Sequence, residues 1–537
     1  MATSTVAEFL IGGTNKSKYP ATCGAEWSCN MYRSQNGKQK FMESLPGIRK
    51  LADIGGKCRG TWVSTRGLKS EGSTEDLFAA FGNALYRLLP NGSFTKILDL
   101  AANGRRVSFA ECGGPRAILL VCDASALYAY FLEEGTVKQV QMPNAVEGDG
   151  HTIRPTHVVV VNGVIVVNDE DSGYAYYSVP YPLSADTRSV YDLGPDGAVQ
   201  YERDGVTVKK TTVDAWQYCF LDDYGVQQFM YTESNSDSIN GLMAIGNVLY
   251  MFGPKSVEIY TYAGEEYATW SRQYFSAVGE FGLEAPDSLV CVGRTIYFVS
   301  TGRSYGKCIM SVTGTAFERV SEDWLDELIL ENTSGSYGFG YGINDHQFYV
   351  LQLPDIGQTW CYDAACQEWH ERRCHIQDSV KEGRWRVSGI ANFRSHFYAM
   401  TEDGLFCSTY DDYWYEDYPT GKSMVMVRHR QGPVFTSELR PFVIEELALE
   451  CNVGYPANYY KERDDAEVLL EVSRDGGVTY GNIRSARFGV KGNYSHRVRW
   501  HNLGRNRLCV LKITFSEPMD FVMTNCAIRA GKTGAQI

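Results

Sequence analysis

Short apolar runs separated by two-residue turns recur along most of the chain. In one stretch, Val158–Val161 and Val164–Val167 flank the pair Asn162-Gly163, and a Gly-containing turn leads on to Tyr174–Tyr177. Asn-Gly and similar pairs between apolar runs favour tight β-hairpins. The pattern therefore predicts antiparallel strands that follow one another along the chain.

The hairpin pattern repeats between about residues 56 and 425. Its seven units contain the stretches 81–98, 117–137, 158–177, 242–262, 289–320, 341–369 and 390–410. The repeat of about 53 residues is close to the ~40–50 residues of a propeller blade. A single four-stranded blade cannot bury both of its faces, whereas blades stacked around an axis cover one another. We predict an all-β chain built on a seven-bladed β-propeller, with a six- or eight-bladed ring or a series of β-sandwiches as alternatives.

Two stretches interrupt the repeat. Ser321 is predicted to cap a helix that runs to Ile329, with acidic residues in its first turn. Residues 183–236 contain a hairpin, Val199–Val208, with an Asp-Gly turn and little apolar content. We expect this second stretch to be an insertion that leaves the propeller.

The character of the chain changes after about Gln431, where short strand-like runs such as Val443–Leu449 and Cys509–Phe515 follow one another. They predict a separate C-terminal antiparallel β-sandwich. The predicted organisation is an N-terminal arm with ring-closing strands (residues 1–55), the propeller (56–430) and the sandwich (431–537).

Composition narrows the class of protein. The chain has 537 residues, a formal net charge of -13 and 13% aromatic residues, which excludes a disordered chain. The negative charge argues against a protein that binds nucleic acid over its whole surface, because phosphate binding needs positive charge. The 15 cysteines include no CxxC pair, so reduced buried thiols are expected. Neither a secretory leader nor a membrane span is predicted. We expect a soluble protein that is synthesised in a cytosol.

Four sequence features carry potential chemistry, and each also has a structural interpretation. Gly302–Gly306 matches G-x-S-x-G around Ser304, but the strand Cys308–Val312 follows where a hydrolase needs a helix, so a hairpin turn is expected. Ser473–Tyr480 resembles one Asp-box of the sialidases, which a hairpin explains. The acidic residues Asp411, Asp412, Glu416 and Asp417 are expected to form a solvated loop.

The fourth feature is a run of metal-ligating residue types. It comprises Cys361, Cys366, His370, Cys374 and His375. Thiolates and imidazoles suit zinc, but this spacing matches no standard zinc site, and the strands of a blade explain the run equally well. We predict no catalytic residue, no cofactor and no metal.

Candidate contacts with partners lie in two places. The arginines Arg497, Arg499, Arg505 and Arg507 bracket an aromatic segment and suit carboxylates of a neighbouring chain, or phosphate or carbohydrate. The hairpin tip Glu202, Arg203 and Asp204 is expected to contact another component or a neighbouring subunit.

Four stretches together resemble the packaged-DNA stabilisation proteins, also called tail hub or nozzle proteins, of short-tailed bacteriophages. They are Cys29–Tyr32 with Leu45–Ile48, Ile239–Gly264, Asp475–Gly481, and Trp500–Arg507 followed by Ile513–Pro518 and Cys526–Arg529. The resemblance spans nearly the whole chain and rests on the shared order of these stretches. The insertion at 183–236 departs from the family pattern.

The resemblance implies a non-enzymatic protein of the virion tail that is assembled in the host cytoplasm. It implies a homo-hexameric ring below the portal and the head-to-tail adaptor, closing the DNA channel and then letting packaged DNA exit. A tail needle, tailspike or tail fibre would attach to it. Two alternatives remain open at this stage. A sialidase-like glycosidase would need repeated Asp-boxes or a buried arginine cluster in the propeller, and a carbohydrate- or receptor-binding propeller would need exposed aromatic residues such as Trp414 and Tyr415.

Overall fold

The computed structural model describes the chain from Thr3 to Lys532 with internal gaps. The gaps are residues 7–9, 17–24, 37–38, 66–74, 147–149, 196, 234–236, 266–267, 274–280, 303–305, 377–378, 410–413, 438–439, 454–465 and 491. Strands make up 56% of the structure and helices 3%, which excludes a mixed α/β fold. In the described part of the chain, no helix is long and apolar enough to cross a membrane.

The strands follow the chain in three groups. The N-terminal group is β1 (Thr3–Val6), β2 (Asn15–Lys16), β3 (Ala25–Cys29), β4 (Met31–Asn36), β5 (Gln39–Ser44) and β6 (Arg49–Asp53). The middle group is β7 (Cys58–Ser64), β8 (Asp76–Phe81), β9 (Ala84–Leu88), β10 (Phe94–Asp99), β11 (Ser108–Cys112), β12 (Ile118–Cys122), β13 (Leu127–Phe131), β14 (Thr136–Val140), β15 (Val158–Val161), β16 (Val164–Asn168), β17 (Tyr174–Tyr177), β18 (Thr187–Tyr191), β19 (Lys210–Asp214), β20 (Phe229–Tyr231), β21 (Gly241–Ile245), β22 (Val248–Phe252), β23 (Val257–Glu265), β24 (Ala268–Gln273), β25 (Phe281–Leu283), β26 (Val290–Val292), β27 (Thr295–Gly302), β28 (Gly306–Thr313), β29 (Ala316–Arg319), β30 (Tyr337–Ile343), β31 (His346–Leu353), β32 (Gln358–Asp363), β33 (Glu368–Glu371), β34 (Arg373–His375), β35 (Glu382–Arg384), β36 (Val387–Phe393), β37 (His396–Thr401), β38 (Leu405–Thr409), β39 (Tyr415–Asp417) and β40 (Ser423–Val425). The C-terminal group is β41 (Arg428–Gln431), β42 (Phe435–Thr436), β43 (Phe442–Cys451), β44 (Glu467–Ser473), β45 (Arg484–Arg487), β46 (Val498–Asn506), β47 (Leu508–Phe515) and β48 (Met523–Lys532).

Seven antiparallel sheets of at least four strands succeed one another between β6 and β38 in the described residues. Sheet 1 is β7–β10, sheet 2 is β11–β14, sheet 3 is β15–β17 with β20, sheet 4 is β21–β24, sheet 5 is β25–β29, sheet 6 is β30–β33, and sheet 7 is β36–β38 with β6. Sheets 1 to 4 are four-stranded, and sheet 6 continues into strands from both ends of the chain. In sheet 7 the outer strand comes from the N-terminal arm, with Asp53 paired to Leu405 and Arg49 to Ser408.

In several of these sheets, a predicted tight turn connects the first two strands. Asn162 and Gly163 both have positive φ, 49° and 81°, as a type I′ hairpin turn requires. Asn344 and Asp345 adopt the same conformation, with φ of 46° and 66°. The backbone twist of such turns matches that of the strands they join, so short polar pairs fix the hairpin register.

The side chains of a buried strand pack against two neighbouring sheets, one on each face of the strand. All five residues of β12 are buried. Leu119 and Val121 pack against sheet 1, whereas Ile118 and Leu120 pack against sheet 3. Since alternate side chains of a strand point to opposite faces, a continuous apolar run is what a sheet covered on both sides needs. Full burial of each Leu or Ile contributes about 1.5–3 kcal/mol.

The stretch 183–236 is less separate from the propeller than predicted. Phe229–Tyr231 forms β20, which pairs with β17 and completes sheet 3. Leu183 and Phe220 are buried in the core between sheets 2 and 3. Only the central part leaves the sheets: β18 pairs with β19, and the hairpin at 199–208 projects beyond them with Tyr201 bridged to Val208.

The C-terminal sandwich also uses strands from the start of the chain. One of its sheets has the order β4-β5-β48-β43-β46, with β1 paired to β48. The other continues from sheet 6 through β3 and β41 to β47, β44 and β45. Trp500, Phe515 and Met42 pack in the core between them. Strands from the predicted N-terminal arm therefore join the sheets of the sandwich, and strand pairing between the two ends of the chain leaves no imprint on local sequence.

The predicted helix is present as α1 (Asp323–Ile329), but its first residues differ from the prediction. Glu322 occupies the N-cap position and makes no side-chain capping bond. The Ser321 hydroxyl instead accepts a hydrogen bond from the backbone nitrogen of Ile309 at 2.9 Å and donates one to Asp326. Ser321 thus fastens the helix to sheet 5, and Leu325 and Ile329 face the core.

Candidate interaction surfaces

Two of the four predicted contact arginines are paired within their own chain. On β46, Arg497 lies 2.6 Å from Glu450, and Arg499 lies 3.6 Å from Glu446 on the adjacent β43. Arg529 on β48 shares Glu446 at 3.2 Å. Cross-strand pairs of this kind on an exposed face each contribute about 0.2–1 kcal/mol. Arg497 and Arg499 therefore have carboxylate partners within their own chain and do not need a second chain to neutralise them.

The other two arginines lie at the C-terminal end of β46, with Arg507 in the turn that follows the strand. Arg505 and Arg507 are exposed, and neither has an ion-pair partner among the described residues. On β45, Arg484 and Arg487 are also exposed. β45 and β46 are the last strands of the two sheets. We call these four arginines the basic edge.

The two strands of the basic edge are linked directly. Arg484 donates from Nη1 to the backbone oxygens of His501 and Asn502, at 3.2 and 2.9 Å, and the indole nitrogen of Trp500 donates to the Arg484 oxygen at 3.1 Å. These bonds fix the guanidinium but do not neutralise its charge. The positive charges therefore stay grouped on one edge.

The Asp-box stretch is a hairpin turn beside this edge. The Asp475 carboxylate accepts hydrogen bonds from the backbone nitrogens of Val478 and Thr479, at 3.1 and 2.9 Å. The hydrogen bonds from the Ser473 and Thr479 hydroxyls, together with these backbone bonds, hold the pKa of Asp475 well below its usual range. A carboxylate bound this way shapes the turn, as the sequence predicted, and Val478 is left exposed.

The predicted hairpin contacts lie at the tip of the projecting stretch. Glu202, Arg203 and Asp204 are all exposed. Asp204 accepts hydrogen bonds from the backbone nitrogens of Val206 and Thr207, at 3.0 and 2.8 Å, which closes the Asp-Gly turn. Since Asp204 holds the turn, Glu202 and Arg203 are the side chains that the tip offers to a partner.

The predicted run of zinc-type residues does not converge on one point. Cys361 and His370 sit opposite each other on β32 and β33, and Cys374 lies on a separate strand. Burial raises the pKa of the Cys361 and Cys374 thiols to about 12, and it lowers the pKa of His370 to about 3. Cys361 and Cys374 are therefore neutral buried thiols, whereas Cys366 is half-buried.

A different group has the donor types for a metal: His346, Asp363 and Cys366, whose ligand atoms lie within 4.8 Å of one another. His346 Nδ1 lies 2.6 Å from Asp363 Oδ2. Burial lowers the pKa of His346, but the hydrogen bonds with Asp363 and Cys366 outweigh it and raise the pKa to about 9. At neutral pH the imidazolium donates to the Asp363 carboxylate, so these two side chains form a buried ion pair. Sequence reasoning missed His346 because β31 lies outside the cysteine-rich run.

Two buried arginines on β41 bond to both ends of the chain, and the sequence did not single them out. Arg430 donates from Nε to the oxygen of Leu10 and from Nη1 to the oxygen of Gly13, both at 2.8 Å. Arg428 donates from Nη1 to the oxygen of Glu517 at 2.8 Å, and burial lowers its pKa to about 9. Guanidinium forks suit this task because they satisfy several backbone oxygens at once. These bonds tie β41 to both ends of the chain.

The remaining candidate groups do not form an open site in the described residues. Ser304, Asp411 and Asp412 lie outside those residues. Glu416 is fully buried 3.9 Å from Arg386, so it does not belong to a solvated loop as predicted. Trp414 is buried as well, and it cannot serve on an exposed aromatic face.

A central cavity of about 320 Å³ lies where sheets 2 to 6 approach one another. Val107, Val158, Leu242, Leu289 and Gly338 each contribute to its lining.

Two family models match the chain in succession. The first, described as the β-propeller of bacteriophage P22 Gp10, matches residues 27–400. The second, described as the β-sandwich of bacteriophage P22 Gp10, matches residues 428–531. The prediction of a β-propeller followed by a C-terminal β-sandwich is confirmed by these matches. No curated protein matches the chain.

Solved structures give weaker likenesses. Virginiamycin B lyase from Staphylococcus aureus is 11% identical with a TM-score of 0.36, covering 67% of this chain and 97% of that one. BamB from Moraxella catarrhalis is 10% identical with a TM-score of 0.33, covering 72% and 96%. YCF48 from Cyanidioschyzon merolae is 11% identical with a TM-score of 0.34, covering 68% and 98%. Such likenesses carry no argument about function.

Proposed function

The chain belongs to the bacteriophage P22 Gp10 family, and from that premise we propose that it is a structural protein of a phage tail that stabilises packaged DNA. The observation that carries the proposal is the succession of two family matches, propeller then sandwich, over most of the chain. The sequence resemblance to packaged-DNA stabilisation proteins names the same family.

Within the subunit, the proposal takes the seven sheets as seven blades of a closed ring. Three observations support closure. β36 of sheet 7 contacts β7 of sheet 1. Phe393 and Met400 share a core with Leu77 and Phe81 across the same boundary. The N-terminal strand β6 completes sheet 7, so the first and last parts of the propeller are joined by backbone hydrogen bonds.

At the level of the virion, the proposed assembly is a homo-hexameric ring. It sits below the portal and the head-to-tail adaptor, closes the DNA channel, and lets DNA pass without sequence-specific binding. A tail needle, tailspike or tail fibre attaches to it, and the tail is assembled in the host cytoplasm. Family membership supports this assembly, and the basic edge and the hairpin tip are the candidate contact surfaces.

The proposed role is non-enzymatic, in keeping with a family of structural tail proteins. Among the sequence motifs, the G-x-S-x-G stretch gives the most direct test of this role. Substitution of Ser304 by Ala should leave tail assembly and infectivity unchanged. A loss of infectivity by a variant that folds and assembles normally would contradict the non-enzymatic role.

Native mass spectrometry of the purified protein, with and without the head-to-tail adaptor, tests the ring. The expected result is a species of six copies, formed alone or once the adaptor is present. Monomers under every condition, together with a different stoichiometry in assembled tails, would overturn the proposed ring.

A further inference from the structure

A small cavity lies between sheet 6, sheet 7 and the N-terminal arm. Its volume is about 10 Å³, and its walls include Pro46 of the arm, Tyr341 on β30, Phe397 on β37 and Thr409 on β38. A space of this size accepts one guest about as large as a water molecule. The cavity is therefore too small for phosphate, sulfate or an organic carboxylate.

A buried arginine borders this cavity. Arg372 is 1% exposed and lines the cavity together with Trp385. Its guanidinium carbon lies 4.0 Å from the centre of the Trp385 ring, and Nη2 donates a hydrogen bond to the backbone oxygen of Pro46 at 3.1 Å. Since Trp385 and Pro46 are both wall residues, the guanidinium itself forms part of the wall.

Two nitrogens of this guanidinium lack a partner in the protein. Nε and Nη1 of Arg372 are buried and have no hydrogen-bond acceptor among the described residues. Arg59 and Arg430 are buried too, but in both of them every guanidinium nitrogen donates to an oxygen of the same chain. A buried polar group without a partner is costly, so the N–H groups of Arg372 favour a guest that accepts hydrogen bonds.

The charge of the walls selects an anion. Arg372 is the one charged residue among the described residues that line the cavity. Glu416 interacts with Arg372 electrostatically, but its ion pair in the described chain is with Arg386, at 3.9 Å. A water molecule would accept a hydrogen bond and leave the guanidinium charge without a counter-ion in contact. A small anion would supply both the acceptor and the counter-ion.

We propose that this cavity binds one chloride ion. The ion accepts hydrogen bonds from Nε and Nη1 of Arg372, and its size suits the cavity because chloride is only slightly larger than a water molecule. Arg372 also holds the backbone oxygen of Pro46, and the next strand of the arm, β6, completes sheet 7. The ion therefore strengthens the contact between the arm and sheets 6 and 7. The inference is independent of the proposed hexameric ring.

Crystallography with bromide tests the site directly, because bromide replaces chloride and scatters X-rays anomalously. Crystals of the full chain soaked in sodium bromide should show an anomalous peak in hydrogen-bond contact with Nε and Nη1 of Arg372. Water density at this position without an anomalous peak would overturn the inference. The measurement uses the wild type, so it does not depend on whether any variant folds.

Thermal unfolding provides a second measurement, in solution. The unfolding midpoint is compared between sodium chloride and sodium gluconate at the same ionic strength, since gluconate is too large for the cavity. A ligand that binds only the folded state stabilises it, and Arg372→Met removes the donors. The gain in midpoint from gluconate to chloride should therefore be about 1–3 °C larger for the wild type than for Arg372→Met.

The matched control is Arg430→Met, which removes a buried arginine whose nitrogens already have partners. This variant should be less stable than the wild type but should keep the same difference between chloride and gluconate. An equal difference in the wild type and in Arg372→Met would assign the effect to salt in general and overturn the inference. A difference that both variants lose would show that it does not report on this cavity, and would also count against the inference.

Discussion

Arg106 donates a hydrogen bond from Nη1 to the backbone oxygen of Ser388 at 3.2 Å, although the two residues lie 282 positions apart. Arg106 immediately precedes sheet 2, and Ser388 lies on β36 of sheet 7. The guanidinium also lies 4.9 Å from the ring centre of Tyr337 on sheet 6. One side chain thus connects sheets from both ends of the propeller.

Replacing Arg106 by Ala should destabilise the propeller. The change removes a charge-assisted hydrogen bond and a cation–π contact, and we expect the free energy of unfolding to fall by roughly 1–3 kcal/mol. Urea denaturation monitored by tryptophan fluorescence measures it, with the exposed Lys255→Ala as control. Equal stability of the two variants would show that Arg106 does not brace the sheets.

Glu416 should make stability depend on pH. Burial raises the pKa of Glu416 to about 7, although Arg386, Arg372 and a hydrogen bond from Trp385 favour the charged form. The folded protein therefore binds this proton more tightly than the unfolded chain does. The contribution of Glu416 to stability is complete below about pH 4.5 and is lost as the pH rises through about 7.

The Glu416→Gln variant isolates this effect because Gln does not titrate. Between pH 4.5 and 8 the wild type should lose on the order of 2 kcal/mol of unfolding free energy relative to the Gln variant. Chemical denaturation across this range measures the difference, with the exposed Glu331→Gln as control. Parallel pH profiles for the wild type and Glu416→Gln would contradict the prediction.

The turn at Asp345 should tolerate glycine well. Asp345 is exposed and has a φ of 66°, a conformation that glycine adopts without strain. Asp345→Gly should therefore raise the free energy of unfolding by about 0.5–1 kcal/mol. Gly163→Ala should do the opposite, because its φ is 81° and the new Cβ would lie 2.5 Å from the Tyr181 ring. Thermal unfolding of both variants tests whether Asp345→Gly stabilises the protein and Gly163→Ala destabilises it.

Deletion of Val199–Val208 should leave the propeller folded. Residues 201–207 are all exposed, and the sheet formed by β18 and β19 does not need them. Assembly or fibre attachment should weaken, which tail reconstitution and infectivity assays measure. Global unfolding of the deletion variant, seen by circular dichroism, would place this hairpin inside the propeller core.

The isolated ring should bind duplex DNA weakly at moderate ionic strength. Its formal charge of -13 per chain repels phosphates. DNA would then be retained by a narrow bore and not by adhesion. Tight binding with a steep salt dependence, measured by fluorescence anisotropy, would instead indicate a basic channel.

Much of this fold is local and could be predicted from sequence. Alternating and continuous apolar runs fix which residues form strands, and pairs such as Asn162-Gly163 fix where the chain reverses. Both depend on the backbone preferences of a few adjacent residues. The hairpins of the seven sheets and the Asp475 turn were therefore predictable, as was the exposed hairpin tip.

What the tertiary structure decided is the pairing of distant segments. Only folding brings Asp53 to Leu405, joins the strands at the start of the chain to the sandwich, and places β20 in sheet 3. Folding also buries Glu416 beside Arg386. It pairs Arg497, one of the predicted contact arginines, with Glu450 of the same chain. These outcomes depend on which strand edge and which charge lie nearby in space, and the local pattern that sets each hairpin carries no record of either.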